Sequence, residues 1–230
     1  MEIKFKIIGA FLLLSITLSS LALSEQQAFP QLNLQDSQCL IAEAELSNNP
    51  QFKSNPEELP SFTNCTYAAS SGLSFAQTQL GNWYYSGILV NRDVEQAYFW
   101  LSQTTDQNRA TQYKLGLLAS EANQHGFSLE ALNWFEKSAF QGFTEAYFPT
   151  ASLFFNAPLN TKNNLPSEQN LAKTFFWLSA TIRASNNQQE VIQAERMLKK
   201  VKEIMPSLWK IKLNTQLNLH FSQLEHKESQ

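Results

Sequence analysis

An internal repeat of about 35 residues constrains this chain more than any other feature of its sequence. One block begins at Ala76 and recurs, at offsets of 35 residues, at Thr111 and Ala146. A second block follows each copy of the first and is marked by a tryptophan, at Trp100, Trp134 and Trp177. Periods of roughly 20–50 residues are typical of proteins that stack copies of one supersecondary unit. The chain is therefore expected to be an array of similar units.

The offsets also give the bounds of these units. Three repeats are predicted, over residues 76–110, 111–145 and 146–186. The third is longer because the offset between the last two tryptophans grows to 43 residues. The added residues form a polar run over 160–170, with Pro158 and Pro166 at its edges, which is typical of a loop.

Each repeat is predicted to be a pair of helices. In the first block, apolar or small residues recur at the spacing of one helical face, at positions 76, 80, 83, 84 and 87. Gly81 and Gly116 are expected where two helices cross, because a missing side chain lets backbones approach closely. Gly72 and Gly142 are expected just past helix ends. The pattern assigns four tryptophans to the core: Trp83, Trp100, Trp134 and Trp177.

The combined pattern resembles the Sel-one-like repeat (SLR), a relative of the tetratricopeptide repeat. The clearest copy has Ala76, Leu80, Gly81, Tyr84, Gly87, Val90, Asp93, Ala97 and Trp100. The second copy keeps Leu115, Gly116, Gly126, Ala131, Trp134, Ala139 and Gly142. The third has Ala151 at the glycine position and Phe154 at the tyrosine position. The resemblance covers about residues 66–184 and implies an all-α fold, a right-handed α-solenoid of helix–turn–helix repeats with helical caps. A divergent tetratricopeptide array would fit the same residues.

The flanking segments are expected to cap the array. Residues 25–75 are predicted to form a leading helical pair, and residues 187–222 the closing helices before a polar tail over 223–230. A strongly amphipathic helix is predicted over 188–204. Pro206 would end it and start a last helix with apolar positions at Trp209, Leu213, Leu217 and Phe221.

The N-terminus has the composition of a secretory signal. Lys4 and Lys6 precede an uncharged stretch over residues 7–23, and Ala22 and Ser24 are small residues suited to peptidase cleavage. A signal peptide over 1–24 is therefore predicted, and with it a periplasmic or secreted protein. An uncleaved membrane anchor is the alternative, because the stretch approaches the roughly 20 residues that span a bilayer.

The chain has two cysteines, Cys39 and Cys65, both in the leading cap. In an exported protein an isolated pair favours a disulfide. Two buried free thiols are the alternative.

Chemical motifs are scarce. His125, His220 and His226 do not have the spacing of a zinc motif, and the sequence has no G-x-S-x-G elbow, phosphate-binding glycine loop or dinucleotide fingerprint. No metal, cofactor or catalytic residue is therefore expected. Ser207 and Lys210 match the S-x-x-K of penicillin-recognising serine enzymes, but the companion S-D-N and K-T-G motifs are missing. The net charge of −3 argues against nucleic acid as a partner.

Binding to another protein is the better-supported function. Five large apolar or aromatic residues fall where the first helices of the repeats should be polar: Tyr85, Tyr113, Leu117, Phe148 and Phe155. We call these five residues the aromatic track, and they predict a groove for a peptide segment or a helix of an envelope protein. Packing against a neighbouring helix is the alternative interpretation. Contact with a membrane is expected only through an uncleaved N-terminal segment.

A second functional hypothesis is an envelope protein that binds or hydrolyses cell-wall sugars or β-lactams. It would require a polar cleft with converging acids, for which Glu130, Glu136 and Glu145 are the candidates. A structural domain that associates with another copy of itself is the third possibility.

Overall fold

The computed structural model describes residues 34–53, 55–104 and 108–228, and it contains only helices as regular elements in these ranges. The predicted all-α class is thereby confirmed. The predicted signal peptide and residues 25–33 of the leading cap lie outside the described residues. The ten α-helices of the described ranges are α1 (Leu34–Asn48), α2 (Pro60–Ser70), α3 (Ser74–Ser86), α4 (Val94–Gln103), α5 (Arg109–Ala122), α6 (Leu129–Phe140), α7 (Tyr147–Phe155), α8 (Glu168–Ala184), α9 (Gln188–Ile204) and α10 (Ser207–Glu228).

Local signals fix many of the helix ends. The second helix of each predicted repeat begins after a polar residue whose side chain accepts a hydrogen bond from a backbone N–H of the first turn, namely Asp93, Ser128 and Ser167. Gly72 and Gly142 follow the ends of α2 and α6 with φ of +91° and +82°, a region that glycine adopts without strain. Both glycines therefore stand at the helix ends where they were predicted.

The helices pack as neighbours along the chain. Contacts are more extensive within the pairs α3–α4, α5–α6 and α7–α8 than between α4 and α5 or between α6 and α7. The first helices of these pairs start within one or two residues of the predicted repeat bounds, and the division into three repeats stays a prediction. The helix predicted over 188–204 is present as α9, with the same bounds.

Two glycines allow close approach inside these pairs. A Cβ atom added to Gly81 would lie 2.5 Å from Cγ of Leu101, and one added to Gly116 would lie 2.5 Å from Cδ1 of Phe135. Such distances are far below van der Waals contact, so the partner side chains occupy the space that a larger residue would need. The predicted crossing role of both glycines is confirmed.

The four tryptophans differ in burial. Trp83 and Trp177 are buried in the core, whereas Trp100 and Trp134 are half-buried and pack against core clusters, so the predicted core assignment holds in full only for the first two. The indole of Trp134 lies between repeats, where its Nε1 donates a hydrogen bond to the Tyr98 hydroxyl at 3.0 Å. An indole N–H needs a polar partner when it is buried, which favours such a boundary position.

The leading cluster of buried residues is held by α1, α2 and α3 and includes a disulfide between Cys39 and Cys65. The predicted pairing is therefore present, and it joins α1 to α2. A second, larger cluster extends from α5 to α10, and Trp177 and Tyr147 are among its most deeply buried side chains.

The last helix returns toward earlier elements. α10 packs against α8, and Leu224 near its end reaches Gly142 in the turn after α6. Leu213 and Leu217 are buried, as the predicted apolar positions require. α10 continues to Glu228, so residues 223–228 of the predicted polar tail are helical. Among the described helices, none has the length and hydropathy needed to cross a membrane.

Candidate partner-binding surface

The aromatic track lies on the first helix of each repeat pair, on α3, α5 and α7. All five side chains are half-buried and pack against core residues. Tyr113 illustrates the environment: its ring centroid lies 5.6 Å from that of Phe135 and 5.2 Å from that of Phe143. Burial raises the pKa of its hydroxyl, and Glu190 adds a smaller effect in the same direction. The aromatic track therefore packs against the core with part of its surface and exposes the rest to solvent.

Polar contacts tie one end of the track to the neighbouring repeat. The ammonium of Lys114 lies 5.6 Å from the centroid of the Tyr85 ring and donates a hydrogen bond to Oδ1 of Asn82 at 2.6 Å. Burial lowers the pKa of Lys114. These contacts join α5 to α3, and they restrain Tyr85 against the helix surface.

A groove between two of the last helices is a second candidate surface. A groove of about 420 Å³ runs between α8 and α10 and is closed at one side by Phe140 of α6. Its walls have helical spacing, with Gln169, Ala172, Lys173 and Phe176 from α8 and Leu213, Gln216, Leu219, His220 and Gln223 from α10. We call this the α8–α10 groove. Its lining is mostly apolar, with amides at the rim.

His220 has an unusual place in this groove. Its ring is buried and lies 5.6 to 5.7 Å from the ring centroids of Phe221, Phe176 and Trp177. Its Nε2 atom has no hydrogen-bond partner among the described residues. Burial lowers the pKa of the imidazole, and the charge of Lys227 lowers it further. The neutral ring is therefore the favoured form at neutral pH.

A charged pair lies at the α8 wall of the groove. Nζ of Lys173 lies 2.6 Å from Oε1 of Glu136, and the same oxygen accepts a hydrogen bond from Nε1 of Trp177 at 3.3 Å. Lys173 also lies 4.8 Å from the centroid of the Phe140 ring, within the range of a cation–π contact. The pair fixes α8 against α6 and leaves the groove close to neutral.

The carboxylates considered for an enzyme are engaged elsewhere. Glu130 accepts a hydrogen bond from the Tyr98 hydroxyl, Glu136 pairs with Lys173, and Glu145 accepts one from Thr144 at 3.1 Å. Burial and the Glu130 hydrogen bond raise the pKa of Tyr98 to about 12. In the described part of the chain, no three histidine, cysteine or acidic side chains form a group that could hold a metal ion. Ser207 is exposed in the first turn of α10.

The groove residues Phe140, Phe176 and His220 were not predicted from the sequence as parts of a site. The sequence of α8 did indicate a shared face, because Gln169, Ala172 and Phe176 recur at helical spacing. The position of His220 between Leu213 and Leu217 on one side and Leu224 on the other also placed it on the buried face of α10. The sequence did not indicate that these faces of α8 and α10 lie against each other.

No protein-family model matches the chain. No curated protein sequence matches it either. The geometry of the chain itself must therefore support any functional conclusion.

Proposed function

We propose that this protein is an exported helical-repeat scaffold of the SLR type, which binds an apolar segment of another envelope protein. In this proposal, the three helix pairs form one right-handed α-solenoid, capped by α1–α2 at one end and by α9–α10 at the other. The protein acts by holding a partner and is not an enzyme. The repeat spacing, the glycine crossings and the capped second helices support this architecture.

The observation that carries the binding proposal is the α8–α10 groove. Two helices that present apolar positions to a shared open channel offer the geometry into which an amphipathic helix can place its own apolar face. Phe176 and Leu219 would contact such a helix, and the amides of Gln216 and Gln223 would meet its polar edge. The aromatic track is the second candidate surface, and its side chains also pack against core residues.

Export is proposed from the N-terminal residues and is supported by the disulfide. A Cys39–Cys65 bond suits an oxidising compartment such as the periplasm or the cell exterior. The location can be tested by fractionating cells that produce the full chain and determining whether the two cysteines are oxidised in the exported fraction.

Site-specific photocrosslinking tests the groove. A photoreactive amino acid replaces Gln216, which lines the groove, and in a matched variant it replaces Asn214, which is exposed on α10 outside the groove. Irradiation of intact cells is expected to give a discrete adduct with another protein from position 216 and none from position 214.

Two substitutions make this test more specific. Phe176→Glu places a charge in the groove wall and should abolish the adduct, whereas Glu168→Gln at the exposed start of α8 should leave it unchanged. Equal adducts at positions 214 and 216, or an adduct that survives Phe176→Glu, would reject the groove as the binding surface.

A further inference from the structure

The turn between α9 and α10 exposes large apolar side chains at one corner of the molecule. We call residues 199–212 the basic corner. Ile204, Leu208 and Ile211 retain 51%, 81% and 74% of their accessible surface. Leu208 and Ile211 are three residues apart, so they share one face of the first turns of α10. A solvated helix end would ordinarily present polar residues at these positions, because exposing apolar surface to water is unfavourable.

Five lysines lie in the same segment of the chain as these side chains. They are Lys199, Lys200, Lys202, Lys210 and Lys212. The corner contains one acidic residue, Glu203, so it carries a clear positive charge within a chain whose net charge is −3. Among the described residues, none of the five forms an ion pair. Lys199, Lys200, Lys202 and Lys212 are exposed, and Lys210 is half-buried.

The corner is also fixed in orientation. Met205 is buried between the two helices, and Trp209 packs against the larger core cluster while Leu208 and Ile211 face away from it. The apolar side chains therefore project from a turn whose neighbouring residues are packed into the core. Their exposure follows from how α9 and α10 pack.

We infer that the basic corner docks on the surface of an anionic phospholipid bilayer. Leu208, Ile211 and Ile204 would enter the boundary between headgroups and acyl chains, while the lysine ammonium groups meet lipid phosphates. Lysine suits this role because its aliphatic stem can lie along apolar surface while its charge stays at the headgroups. Membrane contact thus extends beyond the N-terminal segment.

Charge complementarity and exposed leucine and isoleucine together favour a bilayer over other acidic partners. A nucleic acid would engage the lysines but offers its phosphate backbone, which has no apolar surface for Leu208 and Ile211. An acidic protein could contact both the lysines and the apolar side chains, and the experiment below distinguishes it from a bilayer.

A local fluorescent probe tests the inference in the full chain. Ser207→Cys labelled with an environment-sensitive dye places the probe beside Leu208, and Gln193→Cys on the exposed side of α9 is the matched control. Vesicles of three parts phosphatidylcholine to one part phosphatidylglycerol should shift and strengthen the emission at position 207 alone. Vesicles of phosphatidylcholine should not, and added salt should weaken the response because it screens the lysines.

Variants then separate charge from apolar insertion. Lys199→Gln with Lys202→Gln should weaken vesicle binding about 25-fold, or about fivefold for each lysine. Leu208→Ser with Ile211→Ser should weaken it at least about tenfold. Leu129→Ser, which changes an exposed leucine at the start of α6 (63% of its surface accessible), should leave it unchanged.

Four results would overturn the inference, and the first three concern the vesicles and the control variant. They are no response at position 207, an equal response to neutral vesicles, and equal weakening by Leu129→Ser. A response to soluble polyglutamate that matches the response to anionic vesicles would also reject lipid in favour of an acidic protein. Circular dichroism of each variant verifies that a loss of binding is not a loss of fold.

Discussion

The imidazole of His220 shows how one side chain can couple packing to pH. It is enclosed by aromatic rings, and burial together with the charge of Lys227 lowers its pKa. A group whose folded pKa lies below its unfolded value stabilises the fold above the unfolded pKa, which is about 6.5 for histidine. That stability is lost as the pH falls through the folded pKa. The contacts between α10 and α8 should therefore weaken in acid.

His220→Phe tests this directly. The substitution removes a buried Nε2 atom that has no partner among the described residues and inserts a ring suited to the aromatic surroundings. We expect an unfolding free energy equal to or above that of the wild type at pH 7, and a larger advantage for the variant at pH 5. Urea denaturation at both values measures the difference. An advantage that is the same at both pH values would show that His220 does not titrate with unfolding.

At the scale of helices, the pairing of α5 with α6 depends on the absence of a side chain at Gly116. The Phe135 ring occupies the place of the missing Cβ. The same arrangement recurs in the preceding pair, where Leu101 lies against Gly81. The recurrence explains why both repeats keep a glycine within a helix, although glycine weakens a helix by roughly 0.5–1 kcal/mol relative to alanine.

Gly116→Ala is expected to lower the unfolding free energy by about 1–3 kcal/mol, because overpacking costs more than the gain in helix propensity. Gly126→Ala is the matched control. An added Cβ there would approach Asn123 no closer than 3.4 Å, and its φ is not positive, so stability should change little. Thermal and urea unfolding of both variants measure the effect. An unfolding free energy that Gly116→Ala leaves unchanged would mean that α5 and α6 can move apart at no cost in stability.

At the scale of the whole molecule, the buried residues form separate clusters along the chain. The leading cluster contains the disulfide, and the larger cluster extends from α5 to α10. In an array whose units contact mainly their neighbours, stability is close to a sum of local terms. Local unfolding of the N-terminal helices and of the C-terminal helices should therefore require different free energies.

Replacing both Cys39 and Cys65 with serine tests this separation. The bond closes a loop with a sequence separation of 26 residues. Its removal should cost about 3 kcal/mol in the chain-entropy estimate. Amide hydrogen exchange should accelerate in α1 and α2 and stay nearly unchanged in α7 and α8. Equal acceleration at both ends would show that the chain unfolds as one cooperative unit.

Local physics explains what could be predicted. The helix pairs, the two crossing glycines and the glycines after α2 and α6 follow from periodicity, close approach and positive φ, all of which leave a mark in neighbouring residues. The disulfide followed from composition, because the chain has a single pair of cysteines. The aromatic track was correctly placed on the first helices of the pairs, and its role in binding stays a prediction.

The sequence alone thus determined that the chain forms helix pairs in tandem, because each pair is specified by residues within about 35 positions of one another. Only the tertiary structure decided how α10 is placed. Leu213 and Leu217 are buried while Leu208 and Ile211 are exposed, so α10 is apolar on more than one side and its pattern did not identify a single packing face. Periodicity shows that a face is apolar but not which helix it meets. The α8–α10 groove depends on that long-range choice, as does the half-burial of Trp134 between repeats.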